Sequence, residues 1–185
     1  MSAPAVAADH VVLPDGAEFW VRPLERTDGP LLIDGFNRMT PESRRMRFLI
    51  SKRSLSAADL RVLTAVDARD HVALVAVDAD GRGLGVIRYI RWATDPTAAD
   101  LAITVVDEWH GRGVGAELFA RLSTWAYDEG IRRFTASVSG ENIAVPRLLR
   151  RLRVEVLAFR RTGSEVEYEL AVERHAAQLT AQPAA

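Results

Sequence analysis

Three strand-like segments follow one another between residues 71 and 106 without an intervening helix. They read HVALVAVDA (71–79), GVIRYIRW (85–92) and DLAITVV (100–106), and they are rich in the branched residues that favour strands. A doubly wound, fully parallel sheet alternates strands with helices and cannot accommodate such a run. The chain is therefore predicted to form a mixed α/β sheet.

Further elements are predicted on both sides of this run. Strands are expected at 17–24, 134–139, 154–159 and 165–172, the last two as a hairpin. Helix starts are expected from capping residues near 28, 40 and 56, from helical spacing of apolar residues at 114, and from a first-turn proline after 144. The single domain is placed at 13–173, and the Ala- and Pro-rich ends, 1–12 and 174–185, are expected to be flexible tails.

Composition excludes several classes of function. The chain has no cysteine, which rules out disulfides and thiolate chemistry and suits a cytoplasmic protein. Its net charge of −1 and its lack of a long apolar run argue against nucleic-acid and membrane partners. The histidines show no metal-ligand spacing, so no metal is expected.

Two similar glycine-rich pentapeptides occur in different contexts, GRGLG at 81–85 and GRGVG at 111–115. The first connects two predicted strands, where glycine supplies the positive φ of a hairpin turn. The second lies between a strand and a helix, whose first amides lack partners within the helix and attract anions. GRGLG is therefore predicted to be a turn and GRGVG a phosphate-binding loop, with a ligand-free turn as the alternative for GRGVG.

Two common nucleotide motifs do not fit GRGVG. No Lys-Ser/Thr pair follows the glycines, so the loop is not a P-loop. The dinucleotide pattern GxGxxA matches at 111–116, but DEWH (107–110) separates it from the strand, and the next strand lacks the expected acidic residue at its end. A dinucleotide cofactor is therefore disfavoured.

The stretch ITVVDEWHGRGVGAELFARL (103–122) resembles the acetyl-CoA motif of the GNAT superfamily of N-acetyltransferases. The three fixed places of that motif are held here by His110, where the family has Gln or Arg, and by Gly113 and Gly115. Histidine is a departure, since it loses a donor above about pH 6.5.

Two further resemblances extend the match over about 17–172. SGENIAVPRLL (139–149) resembles the second GNAT motif, with Asn142 at the asparagine place. MTPESRRMRFL (39–49), HVALVAVDADG (71–81) and AADLAITVVDEWHGRGVG (98–115) look like the catalytic domain of bacterial protein-lysine acetyltransferases. The resemblance implies the GNAT fold, a mixed and mostly antiparallel sheet that splays at the motif strand and is flanked by helices.

The same resemblance implies an acetyl-CoA-dependent N-acetyltransferase acting on a primary amine, in the closest case a protein lysine. The alternatives are a small amine, such as a polyamine, an amino-acid derivative or an antibiotic, and a non-catalytic acetyl-CoA-binding module. Acetyl-CoA is then the cosubstrate, and the amine acceptor is the second partner.

Cofactor contacts follow from the resemblance residue by residue. The main chain of Ile103 and Val105 would pair with the pantetheine arm, and Asn142 would bond that arm or cap the helix that follows. The amides that would hold the pyrophosphate, with His110 ahead of them, are those of Gly111, Arg112, Gly113, Val114, Gly115 and Ala116. The Arg112 side chain would add charge there or be solvated.

Acetylation of lysine requires a base, because the amine has a pKa of about 10.4 and is mostly protonated at neutral pH. The resembling enzymes use a glutamate on the motif strand, and Asp100 stands at that place. The alternative is a solvated, inert aspartate, with Glu108 and Glu141 as reserve bases. The tyrosine that protonates the leaving thiolate in many members is Leu149 here, which leaves that role to water or to another tyrosine.

An arginine-rich segment near the C-terminus has two interpretations. It is a solvated face, or it meets the 3′-phosphate of CoA or an acidic partner. Its members are Arg147, Arg150, Arg151, Arg153, Arg160 and Arg161.

Overall fold

Eight strands form one continuous sheet in the computed structural model, which describes residues 8–175. The strands are β1 (Asp9–Val12), β2 (Glu18–Pro23), β3 (His71–Val77), β4 (Gly83–Arg91), β5 (Ala98–Val105), β6 (Arg133–Ser139), β7 (Val156–Thr162) and β8 (Glu165–Ala171). The helices are α1 (Gly29–Asn37), α2 (Pro41–Phe48), α3 (Ala57–Leu63), α4 (Val114–Asp128) and α5 (Ala144–Arg151). A short 3-10 helix, Asp107–Trp109, lies between β5 and α4. The mixed sheet predicted from three successive strands is confirmed.

The strand order is β1-β2-β3-β4-β5-β6-β8-β7, and its neighbours are antiparallel except for β5 and β6. The parallel pairing of β5 with β6 covers only 98–100 against 133–135. Beyond it, β5 follows β4 as far as Val105 while β6 follows β8. The two strands therefore separate after Asp100, and the sheet opens there as expected.

The N-terminal tail begins to fold earlier than the sequence analysis expected. Residues 9–12, assigned there to a flexible tail, form β1 and pair with β2. The reason is burial, since Val11 and the following Leu13 lie in the core beside Phe19. An Ala- and Pro-rich composition gave no sign of this pairing.

The C-terminal tail also starts within the folded region. Arg174 forms an ion pair with Asp128, and the ring of His175 packs edge-on against Phe119. The remaining parts of the two expected tails, 1–7 and 176–185, lie outside the described residues.

The helix starts follow their caps, with one exception. Thr40 accepts a hydrogen bond from the amide of Ser43, and Ser56 and Asp59 form a reciprocal capping box at α3. Asp28 precedes α1 but makes no capping bond, because its carboxylate binds the guanidinium of Arg22 instead.

Helices cover both faces of the sheet. The apolar side of α4, including Leu118 and Leu122, packs on one face against Leu74 and Ile87. On the other face, side chains of α1 and α3 pack against a smaller group that includes Val75. Within residues 8–175, none of the helices is both long and apolar enough to cross a membrane.

Candidate functional site

The gap between β5 and β6 frees one main-chain edge of β5. Just past its end, Val106 donates to the carbonyl of Leu84, so the even-numbered residues of β5 are those bonded to β4. The main-chain groups of Leu101, Ile103 and Val105 then point into the gap, beyond the stretch paired with β6. Such an edge can accept an extended ligand as a further strand.

The loop GRGVG enters α4 through two glycines of positive φ. Gly111 has φ +74° and Gly113 has φ +118°, a region that residues with a side chain rarely adopt. Among the described residues, the amides from Gly111 to Gly115 find no acceptor, whereas that of Ala116 donates to the Gly113 carbonyl at 2.9 Å. Five free amides at the N-terminus of a 15-residue helix form a site for an anion. The side chain of Val114 is buried, so only its main chain faces the loop.

The similar pentapeptide GRGLG is a turn, as predicted. It joins β3 to β4, where Asp78 accepts from the amides of Asp80 and Arg82, and Gly81 has φ +77°. Gly85 already belongs to β4, and a Cβ there would lie 2.9 Å from the carbonyl oxygen of a neighbouring strand. Turn geometry and close packing explain these glycines without a ligand.

The ring of His110 points back to the strand that precedes it. Its Nε2 lies 2.8 Å from the carbonyl oxygen of Val105, and its Nδ1 lies 3.7 Å from Asp107. The histidine thus ties the end of β5 to the 3-10 helix, and one carbonyl of the free edge is already engaged.

Arg112 is held by the β1–β2 hairpin. Its Nη2 lies 2.9 Å from the carboxylate of Asp15, and its guanidinium stacks 4.1 Å from the centre of the Trp109 ring. The amide of Ala17 and the Arg112 guanidinium hold the pKa of Asp15 below its usual range. The expected contribution of Arg112 to phosphate binding therefore competes with an existing ion pair.

A different arginine lies close to the loop. A Cβ built on Gly113 would be 3.8 Å from Nη2 of Arg151, which projects from α5, and 3.3 Å from Cδ2 of Leu13. Among the six arginines of the C-terminal segment, Arg151 therefore lies where a bound phosphate would find a second positive group. All six are exposed.

The loop is also tied to the start of α2. The carboxylate of Asp107 accepts from the amide of Thr40 and from the hydroxyl of Ser43. Burial raises the pKa of Asp107, but these hydrogen bonds outweigh it and hold the pKa below its usual range. The 3-10 helix that precedes the glycines is thus fixed at both ends.

Asp100 lies at the apex of the gap, on the last paired position of β5. Its Oδ1 accepts a hydrogen bond of 2.5 Å from the hydroxyl of Thr135, its partner on β6. The side chain is exposed and shares its sheet face with Thr104, on the side covered by α1 and α2. A carboxylate oriented there can take a proton from an amine that enters the gap from that face.

The reserve bases are paired with arginines. Glu108 binds Arg38 and Glu141 binds Arg45, each with a nitrogen–oxygen distance of 2.5 Å. Both carboxylates therefore have a structural partner, whereas Asp100 is bonded only to a hydroxyl within the described part of the chain. This comparison favours Asp100 among the three acids.

The position that holds a tyrosine in the second motif of many family members holds a buried leucine here. Leu149 belongs to α5 and its side chain is buried in the core. Tyr89 is buried as well and donates its hydroxyl to the carbonyl of Arg69, and burial raises its pKa far above the usual value. The ring of Tyr127 packs under the guanidinium of Arg132. Neither tyrosine is placed to donate a proton at the gap.

Asn142 caps α5. Its Oδ1 accepts from the amides of Ala144 and Val145, at 2.9 and 3.1 Å. Of the two roles predicted for Asn142, the amide oxygen has the capping role. A contact between Asn142 and the pantetheine arm stays a prediction.

Sequence reasoning missed Thr135 and Asp15 as site residues, and it named Arg151 only as one member of the arginine-rich segment. Each acts through a partner far along the chain, so no local pattern marks it. For Thr135 a weak signal exists, since a threonine on the strand after the motif helix is suited to bond a carboxylate on the neighbouring strand. Within residues 8–175, no three His, Asp or Glu side chains are grouped to hold a metal ion.

Comparison with known proteins places this geometry in context. A sequence model of the acetyltransferase (GNAT) domain matches residues 18–155. The acetyltransferase Pat of Mycolicibacterium smegmatis is 33% identical over 138 residues, which cover 74% of this chain and 41% of the relative. The acetyltransferase PA5475 of Pseudomonas aeruginosa is 32% identical over 146 residues, covering 76% of this chain and 78% of the relative.

The fold has a close structural counterpart. The crystal structure of the GNAT domain of S. lividans PAT superposes with a TM-score of 0.82 at 29% identity, covering 92% of this chain and 99% of that domain. The chain thus spans less than half of the M. smegmatis relative but nearly the whole of the S. lividans domain.

Proposed function

Because the chain belongs to the GNAT acetyltransferase family, whose members are acetyl-CoA-dependent N-acetyltransferases, we propose that it acetylates a lysine side chain of a protein. The observation that carries the proposal is the exposure of Asp100 at the mouth of the gap. The Asp100 side chain is exposed and its only hydrogen bond among residues 8–175 is with Thr135, so its carboxylate can be reached from solvent. An open surface suits a lysine carried on a large partner, whereas small acceptors are usually enclosed in clefts.

The resemblance of three sequence segments supports this acceptor class. The segments 39–49, 71–81 and 98–115 resemble protein-lysine acetyltransferases, and they include the base position, the phosphate loop and the start of α2. The GNAT domain of S. lividans PAT matches along nearly its whole length.

The chain's own groups fit acetyl-CoA. The pantetheine arm would lie along the free edge of β5, at the main-chain groups of Leu101 and Ile103. The pyrophosphate would take the free amides from Gly111 to Gly115, and Arg151 would add charge beside it. Each contact is with a main-chain or side-chain group that the folded chain leaves unpaired or exposed.

The cosubstrate supplies an activated acetyl group as a thioester. In the proposed reaction, Asp100 takes the proton of the lysine ammonium, directly or through one water, and the neutral amine attacks the thioester carbonyl. The new C–N bond forms as the C–S bond breaks, and the thiolate leaves with the bonding electron pair. Since Leu149 replaces the usual tyrosine, water protonates that thiolate.

Mass spectrometry can test the acceptor class. The enzyme is incubated with acetyl-CoA and, in parallel, with heat-treated bacterial protein and with a panel of polyamines, amino-acid derivatives and aminoglycosides. We expect acetyl-lysine to appear on protein at rates that exceed those on every small amine. Acetylation confined to the small amines would refute the lysine proposal.

The variant Asp100→Asn tests the role of Asp100 as the general base. It keeps the size of the side chain but removes the base, so turnover should fall by about 10²–10⁴-fold while acetyl-CoA binding is retained. Turnover equal to wild type would remove Asp100 from the mechanism without affecting the family assignment.

A further inference from the structure

A second cavity, separate from the gap, lies between the sheet and the first two helices. Its walls are mostly apolar and include Leu32 and Phe36 of α1, Phe48 of α2, Leu63 of α3 and Val86 of β4. It has a volume of ≈ 60 Å³ for the centres of water-sized molecules. Since a single water needs about 10–15 Å³ by this measure, the space admits several waters or one end of a small ligand.

Two guanidinium groups line this apolar space. Arg88 is only 4% exposed, and its Nη1 donates to the carbonyl of Leu63 and lies 3.2 Å from Nε2 of His71. Its Nη2 is buried and has no hydrogen-bond partner in the described part of the chain. Arg47 is partly buried and donates through Nε to the hydroxyl of Thr104, at 2.8 Å.

These charges are not compensated. No carboxylate among residues 8–175 forms an ion pair with Arg47 or Arg88, and the side chains that line the cavity include no acid. Desolvation lowers the pKa of Arg47 to about 10, and desolvation together with the nearby charge of Arg47 lowers the pKa of Arg88 to about 10. Burying a cation without a counterion is costly, and an anion at this place would offset that cost.

We propose that the cavity binds the carboxylate of a small, largely apolar acid, held between Arg88 Nη2 and the free guanidinium nitrogens of Arg47. The two planar donor groups match the two oxygens of a carboxylate, and the apolar walls match a short hydrocarbon body. The free carboxylic acid and a carboxylate on the acetyl acceptor share this chemistry.

The position of the site links it to the gap. Arg47 bonds Thr104, which neighbours Ile103 on the strand whose free edge faces the gap. Arg88 is paired with Ala102, two residues from Asp100 on the same sheet face. A ligand held here therefore lies beside the strand that carries both the candidate base and the free edge.

Titration calorimetry without acetyl-CoA tests the site independently of the proposed function. The probes are 3-methylbutanoate and hexanoate, each with its matched neutral amide. We expect the acids to bind about 10-fold to 100-fold more tightly than their amides, as hydrogen bonds between charged groups imply. Equal affinity for acid and amide, or no binding of either acid, would overturn the proposal.

Three variants locate the binding. Arg88→Met and Arg47→Met remove one donor group each and should weaken acid binding by at least about tenfold. Gly35 lines the cavity and nothing lies within 4 Å of its Cβ position, so Gly35→Leu has room for its side chain, keeps both arginines and should weaken acid binding by occupying the cavity. The control, Arg147→Met, changes an exposed arginine on α5 and should bind like wild type. Circular dichroism confirms that each variant is folded, and wild-type binding by all folded variants would refute the site.

The source of the carboxylate is then identified by turnover. If the carboxylate belongs to the acceptor, 6-aminohexanoate should be acetylated and hexanoate should compete with 6-aminohexanoate. If the carboxylate belongs to a separate ligand, hexanoate should change the KM for acetyl-CoA, and 6-aminohexanoate should not be acetylated. Either result supports the site. Calorimetric binding that leaves both acceptor and cosubstrate kinetics unaltered would contradict the link to the gap.

Discussion

The hydroxyl of Thr135 donates a 2.5 Å hydrogen bond to Asp100 at the last position where β5 and β6 are still paired. The hydrogen bond between these two side chains thus marks the point at which β5 and β6 separate. The contact holds one oxygen of the Asp100 carboxylate and leaves the other to meet an amine or a water.

Replacement of Thr135 tests this orientation. Thr135→Val keeps the shape and removes the donor, so kcat should fall by about tenfold while the KM for acetyl-CoA stays near wild type. Thr135→Ser restores the hydroxyl and should recover most of the rate. Steady-state kinetics and melting curves on both variants distinguish positioning from stability, since equal loss in the Val and Ser variants would contradict the role of the hydroxyl.

The glycines of the phosphate loop can be compared with a glycine elsewhere in the chain that also has a positive φ. Gly113→Ala strains a residue with φ +118° and places a Cβ 3.3 Å from Leu13 at the anion site, so acetyl-CoA affinity should fall at least tenfold. Gly81→Ala, in the β3–β4 turn at φ +77°, costs about 1–2 kcal/mol of backbone strain. This turn is not part of the proposed ligand site, so acetyl-CoA affinity should be unchanged. Calorimetry with CoA should therefore separate the two, and equal affinity losses would be evidence against the loop.

Two arginines beside the loop should differ in effect. Arg151→Ala removes a guanidinium close to Gly113 that has no carboxylate partner among the described residues, so CoA binding should weaken several-fold and become less sensitive to salt. Arg112→Ala removes one that is already paired with Asp15, so its effect on affinity should be smaller. Binding isotherms at low and high salt measure both, and the reverse order would show that Arg112 leaves Asp15 when the ligand binds.

The ion pair between Asp28 and Arg22 predicts a pH-dependent stability. Burial raises the pKa of Asp28, but the hydrogen bonds from Arg22 and from the amide of Glu25 outweigh it, so the pKa in the folded state is below its usual range. The stabilisation is then complete above the unfolded pKa of about 3.9 and is lost as the pH falls through the folded value. Asp28→Asn should cost about 1–3 kcal/mol at pH 7.

Urea unfolding at pH 7 and at progressively lower pH checks this expectation. The free-energy difference between wild type and Asp28→Asn should shrink as the pH falls below the usual aspartate range. Asp34→Asn is the control, because Asp34 is 45% exposed in its pair with Arg38 and should contribute at most about 1 kcal/mol. A difference that persists at acid pH would show that the effect is not one of charge.

Local sequence patterns predicted the fold well but predicted the partners of individual side chains poorly. Caps at Thr40 and Ser56, and helical spacing after Gly113, were sufficient because each depends on neighbours within a few residues. Arg112 and Asp15 are 97 residues apart in sequence, so their pairing depends on a packing that no local signal carries.

The same limit explains the other differences. Asp28 stands where a capping residue is expected, yet Arg22 on the preceding strand binds it more strongly than the helix amides do. β1 was missed because a four-residue strand is stabilised by its partner β2 and by burial of Val11, not by its own composition.

Alternation along β5 divides two tasks between its residues. Even-numbered positions bond β4 and include Asp100, while odd-numbered positions present their main chain to the gap. A single-codon insertion or deletion within this strand would put Asp100 out of phase with the residues that present their main chain to the gap, so the carboxylate and the free edge would no longer serve one ligand together. In evolutionary terms, we therefore expect the length of β5 to be more constrained than the identity of most of its residues, so that lineages of this domain vary by substitution here and by insertion elsewhere.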